Sequence, residues 1–130
     1  MNEYIIYTDG ALATSTNNGG YCFIILKDNK EKYVHFNSVK NTTVNRMELG
    51  ACITALSAFN TKQKITIYSD SQYVVKGYND NWKKTKNRDL WKVFEKLISE
   101  HDVTLKWVKG HNKNKYNEKA DFFALYASQL

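Results

Sequence analysis

The sequence predicts an α/β domain: one five-stranded mixed sheet with helices on both faces, its elements running βββαβααβα along the chain. Three observations carry that expectation. Three β-rich runs follow one another on short connections before Thr43, the arrangement of an antiparallel meander. Beyond Thr43 the apolar period becomes that of helices, interrupted by two short β-rich runs. Two runs, "YIIYTD" and "ITIYSD", close on an acid, and open sheets of this kind bind ligands at strand ends.

Taken in order, residues 3–9 form the first strand. Gly19 and Gly20 mark a turn into the second, "YCFIILKD" (21–28), and Asp28, Asn29 and Lys30 turn into the third, "EKYVHFN" (31–37). "NRMELGACITALSAF" (45–59) is helical, with Met47, Ala51, Ala55 and Ala58 on a small-residue stripe that can lie close to a sheet. "KITIYSD" (64–70) is a buried strand. Ser71 caps a short helix, "SQYVVKGY" (71–78), and Asp89 caps the next, "LWKVFEKLISE" (90–100), whose apolar face is Leu90, Val93, Phe94, Leu97 and Ile98. "VTLKWVKG" (103–110) is the fifth strand and "YNEKADFFALYASQL" (116–130) the closing helix.

No proline, repeat, low-complexity linker or composition shift divides the 130 residues, so one domain over 1–130 is expected. No run approaches the roughly eighteen apolar residues of a membrane span, and the first residues lack the basic and apolar segments of a signal peptide. A cytoplasmic chain with no membrane partner follows, with Cys22 and Cys52 as reduced core residues. The net charge of +6 and pI near 9.2 favour an anionic partner, nucleic acid above all. One stretch concentrates it. "NWKKTKNRDLW" (81–91) sets Lys83, Lys84, Lys86 and Arg88 between Trp82 and Trp91, cations for phosphates interleaved with aromatics for sugar or base.

Asp9 and Asp70 each follow a β-rich run, so neighbouring strands would bring their carboxylates side by side. Taken alone they read equally as two turn or helix caps. Glu48 lies in the first turn of its helix on the face of Ala51, Cys52 and Ala55, either beside the buried stripe or as a capping-box glutamate reaching back to Asn45 or Thr43. Asp121 lies near the start of the last helix, on the face of Ala124 and Leu125. Several carboxylates together repel and raise one another's pKa unless a cation neutralises them, so four acids at sheet and helix ends argue for a divalent metal. Hard oxygen ligands without thiolate favour Mg²⁺ or Mn²⁺ over Zn²⁺. His35, in a strand, and His101, at a helix end, read as structural. His111 lies in the polar loop "KGHNKNKYN", where it is either a solvated bystander or a proton shuttle beside the acids.

"YTDGA", "NRMEL", "YSDSQYVVKG", "DLW" and "WVKGH" followed by "NEKAD" occur in the order and approximate spacing of type 1 ribonuclease H, which the chain resembles over nearly its whole length. The resemblance implies the ribonuclease H fold and endonucleolytic hydrolysis of the RNA strand of RNA–DNA hybrids by two-metal-ion catalysis, giving 5′-phosphate and 3′-hydroxyl products. Asp9, Glu48, Asp70 and Asp121 match the metal-binding acids, with Asp9 the candidate shared ligand of two Mg²⁺ ions and Mn²⁺ a possible substitute. His111 matches the loop histidine assisting proton transfer or product release. Asn45 and Gln72 match positions contacting bases and sugars across the minor groove, and Thr43 one contacting a DNA phosphate. Trp82, Lys83 and Lys84 correspond to the start of the family's basic protrusion.

The stretch from Gly77 to Asp89 is much shorter than a full protrusion, which implies weaker affinity for a monomeric chain and leaves room for a partner or fused domain to supply it. Val44 stands where the family often has a polar residue. The turn after the first strand, "ALATSTNNGG", lacks the family's glycine- and proline-rich form. Two other readings stand beside this one: a nuclease of the resolvase or integrase type on the same fold, and a non-catalytic module that binds hybrid or double-stranded RNA.

Overall fold

The computed structural model describes residues 3–110 and 114–130. Five strands form one sheet in the order β3-β2-β1-β4-β5. β1 (Glu3–Ala13), β2 (Asn18–Lys27) and β3 (Lys30–Val39) are the antiparallel meander, while β4 (Lys64–Ser69) lies parallel to β1 and β5 (Asp102–Trp107) parallel to β4. The β2–β3 turn holds Asp28 and Asn29 at positive φ (53 and 60), a conformation that Asp and Asn tolerate better than other side chains with a Cβ.

Helix α1 (Val44–Leu56) packs on β1 and β2 from one side, with α2 (Gln72–Asn79) and α3 (Arg88–Ser99) completing that layer, and α4 (Lys115–Ser128) covers the other side. Alternation along the strands feeds both layers. Ile6, Phe23, Ile25, Ile65, Ile67 and Leu105 meet Leu49, Cys52, Ala55, Val74, Trp91 and Phe94 on the first side; Cys22, Ile24 and Leu26 meet Ala120 and Ala124 on the second. Each cysteine therefore lies in a different core. Burial pushes both thiols up to about 12, so they are protonated and inert.

Several elements depart from the expected bounds for identifiable reasons. β1 does not stop at Asp9: its pairing with β4 ends at Thr8 and Ser69, but its pairing with β2 runs on to Ala13. Gly19 and Gly20 lie inside β2, and residues 14–17 form the turn. A Cβ at Gly20 would collide with backbone atoms of Ala124 and Ser128, so the glycine sets how closely α4 approaches the sheet rather than making a turn. Helix α1 ends at Leu56, before Ala58. In α3 the buried residues are Trp91, Phe94 and Ile98, while Val93 is 47 % exposed. Asp89 is not the cap of α3: Asn87 precedes the helix in the left-handed region, and Asp89 sits inside the first turn. Ser71 does cap α2, its side chain accepting from the Val74 N–H at 3.2 Å.

Candidate active site

The break between β1 and β4 builds the site. Beyond Thr8 and Ser69 the two central strands lose each other, leaving Asp9 and Asp70 at the mouth of the opening. Helix α1 brings the third acid. Its N-terminus comes in against Gly10, where a Cβ would stand 2.6 Å from the Glu48 nitrogen and the Met47 carbonyl carbon, so only glycine allows the approach. Thr43 caps the helix by accepting from the Arg46 N–H at 3.3 Å. That puts Glu48 beyond the capping-box position and settles its alternative reading: it faces the interior. Asp9, Glu48 and Asp70 each offer a carboxylate oxygen, and these three atoms lie within 4.8 Å of one another.

The electrostatics of this cluster are unfavourable for a metal-free chain. Asp9 is 2 % exposed and Glu48 6 %. Burial, then the charges of Glu48 and Asp70, with Asp121 adding to them, push the Asp9 carboxyl up to about 11. Glu48 is likewise held well above the ordinary carboxylate range, first by burial and then by Asp70. The Oδ1 atom of Asp9 accepts from the Gly10 N–H at 2.9 Å, but Asp9 Oδ2 and Glu48 Oε1 are buried with no hydrogen-bond partner among the described residues. Buried oxygens left without donors are costly, and a hard cation would satisfy both. The donor set fits a divalent metal.

Asp121 stands on α4, half-buried and close enough to raise Asp9, but outside the set of three oxygens within 4.8 Å. One turn before it, Asn117 is 1 % exposed, its Oδ1 without a partner among the described residues. His111 lies outside the described residues. Three contributors were not singled out from sequence. Gly10 and Gly110 serve as spacers, a Cβ at Gly110 falling 3.0 Å from Asp70 Oδ2, and the Trp107 indole N–H donates to the Asp70 carbonyl at 3.0 Å. Gly10 directly follows Asp9, which was its available signal; Gly110 and Trp107 have no acid beside them in the chain and stood out only as part of the "WVKGH" block.

The family model for RNase H matches residues 1–129. The chain belongs to the ribonuclease H family. Proteins named Ribonuclease H from Francisella tularensis subsp. novicida and Francisella philomiragia are 43% and 42% identical to it, each match covering 95% of this chain and 89% of the relative. Among solved structures, the N-terminal RNase H domain of a Mycobacterium tuberculosis protein superposes with TM-score 0.87 at 19% identity, covering 99% of this chain and 95% of that one. RNase H1 from Halobacterium salinarum does so at 0.81 and 24%, covering 98% of both. These two likenesses show the ribonuclease H fold, and the five-stranded order found here is that of the family.

The remaining residues with expected roles lie at α1 and α2 and on the segments that follow α2 and α3. Thr43 and Asn45 are exposed at the start of α1, and Gln72 is exposed in the first turn of α2. Trp82, 46 % exposed, and Lys83 stand on the surface after α2. Lys84 is half-buried; its ammonium donates to the Gly77 carbonyl at 2.7 Å and lies 4.7 Å over the Trp91 ring. Trp91 itself is 2 % exposed, so it supports the basic segment from below and is not a surface for sugars or bases. Its indole N–H donates to the Tyr73 hydroxyl at 2.9 Å, which also accepts from Asn87 at 3.1 Å. His101 is structural as expected, its Nδ1 accepting from the Gln63 N–H at 3.1 Å.

Proposed function

We propose that this chain hydrolyses the RNA strand of RNA–DNA hybrids endonucleolytically, leaving 5′-phosphate and 3′-hydroxyl ends. The observation that carries the reading is the set of three carboxylates within 4.8 Å, two of them with buried oxygens that no described residue donates to, in a chain of the ribonuclease H family. Asp9, Glu48 and Asp70 would hold Mg²⁺, with Asp121 completing a second ion position and Mn²⁺ as a substitute. When bound, the ions would generate the attacking hydroxide from water and stabilise the departing 3′ oxygen.

The chain's own contribution is placement. Gly10 lets α1 carry Glu48 to Asp9, and Trp107 ties down the backbone of Asp70. Thr43, Asn45 and Gln72 are exposed at two helix N-termini; they would read sugars, base edges and phosphate, and the 2′-hydroxyl is the feature that separates RNA from DNA. Lys83, with Trp82, would contact backbone phosphate and sugar, while Lys84 holds that segment to the protein. His111 is proposed to assist proton transfer or product release. No described helix is long and apolar enough to cross a membrane, and we read the chain as a cytoplasmic monomer formed from one domain.

The test is cleavage of a strand-labelled RNA–DNA hybrid in Mg²⁺, Mn²⁺ or EDTA, beside duplex DNA and duplex RNA. Metal-dependent cutting confined to the hybrid's RNA is the expected result. Cutting of both strands, or metal-independent cutting, would overturn the reading.

A further inference from the structure

The shortened basic segment raises the question of what else on this surface meets the substrate backbone. Helix α3 supplies an answer. Arg88, Lys92 and Lys96 recur every fourth residue, all exposed, and so form one stripe with successive charges about 6 Å apart along the axis. The first part of the stripe borders an open groove of about 680 Å³, lined by Lys84, Arg88, Asp89, Trp91, Lys92 and Glu95.

Two acids line this groove, and the structure neutralises one of them. Asp89 receives a two-pronged contact from the Arg46 guanidinium, at 3.1 Å and 2.9 Å, which also holds its carboxyl below the usual carboxylate range. Arg88 and Lys92 have no such partner: among the described residues the only ion pairs are Arg46 with Asp89 and Lys119 with Glu31. The groove therefore offers unpaired cations to solvent against the single free charge of Glu95. It is open and bordered mainly by charged side chains, suited to an extended polyanion.

Its position connects it to the site. Arg46 lies two residues before Glu48 on α1, and its ion pair fastens the first turn of α3 beside the exposed Thr43 and Asn45. A nucleic acid lying over the start of α1 that continued past Arg46 would meet Arg88 first and Lys92 next.

We propose that the Arg88–Lys92 stripe of α3 is a second backbone-binding surface, taking phosphates of the hybrid and extending the contact area of the short basic segment. The inference rests on the hybrid-cleavage reading above. Arg46 contributes by cancelling Asp89, and Glu95 limits the attraction.

The test compares R88A/K92A with K62A/K64A, a control that removes the same charge at the opposite end of β4, away from Asp70. Hybrid binding is measured by fluorescence anisotropy in EDTA over a range of salt, and cleavage by KM and kcat in Mg²⁺. For R88A/K92A we expect binding weakened about tenfold at low salt, the log–log salt slope reduced by about 2, KM raised and kcat unchanged. Glu95→Gln should act in the opposite direction and tighten binding. Equal weakening by K62A/K64A would show that net charge alone is responsible, and unchanged binding by R88A/K92A would remove α3 from the interface; either overturns the proposal. Binding is read without catalysis, so a wild-type chain that fails to cleave would count against the hydrolase reading while the anisotropy still decides this one.

Discussion

Arg46 and Glu48 stand two residues apart on the same helix and meet opposite fates. Arg46 turns outward and gives Asp89 a cation in solvent, whereas Glu48 turns inward to Asp9 and Asp70, two more acids. Asp89 is held below its ordinary pKa and the buried acids are held above theirs. The difference separates an acid that the fold satisfies from Asp9 and Glu48, each with a buried oxygen left unpartnered among the described residues. A chain selected only for stability would pair or replace Asp9 and Glu48; this one keeps them buried and crowded, each with an unsatisfied oxygen, the arrangement expected where a metal completes the structure.

The largest expected effect breaks the inner side of the comparison. Asp9→Asn should reduce cleavage by about 10³-fold, the scale of losing an electrostatic element of transition-state stabilisation, and should raise the melting temperature of the metal-free protein at neutral pH, because a neutral amide spares the fold the cost of holding a buried carboxyl protonated. Hybrid cleavage and thermal melts in EDTA check the two halves, and a variant that melts lower than wild type would contradict the second. Next comes Gly10→Ala, whose methyl must displace the start of α1 by steric conflict with backbone. We expect a loss of about 1–3 kcal/mol in denaturant unfolding together with a large loss of activity, because Glu48 moves with the helix.

A smaller effect is the pH dependence of metal-free stability. Asp9 has an ordinary value of 3.8 and is pushed up to about 11 in the fold, so the folded state binds its proton more tightly than the unfolded one. The stability tied to this group is fully present below pH 3.8 and is lost as pH rises toward 11. Chemical unfolding across that window in EDTA should show the decline, and saturating Mg²⁺ should flatten it. Least of all, Arg46→Ala should barely move the unfolding midpoint, since the pair is exposed, yet it should weaken hybrid binding by uncovering Asp89.

Much of this was legible before the fold was known, and for physical reasons. Strand and helix periods are local, so nine elements in order could be read, and two acids after two β-rich runs pointed to neighbouring strands. What escaped depended on partners far along the chain. Gly20 looked like a turn because its constraint, the backbone of α4, lies more than a hundred residues away. Asp89 looked like a helix cap because its partner Arg46 is on another helix, and Trp91 looked like a surface aromatic although Tyr73 and Lys84 hold it in place from outside the core. The strand that seemed to end at Asp9 continues; only its partner β4 stops.

The central claim is that the inner acids await a divalent ion. It is tested most directly by calorimetric titration of the metal-free protein with Mn²⁺ at neutral pH, in two buffers of different ionisation enthalpy. The account predicts binding accompanied by proton release, because a ligating carboxylate must give up the proton that burial and its neighbours hold on it, and loss of that binding in Asp9→Asn. Binding that is absent in the wild type, or equal in wild type and Asp9→Asn, would contradict it.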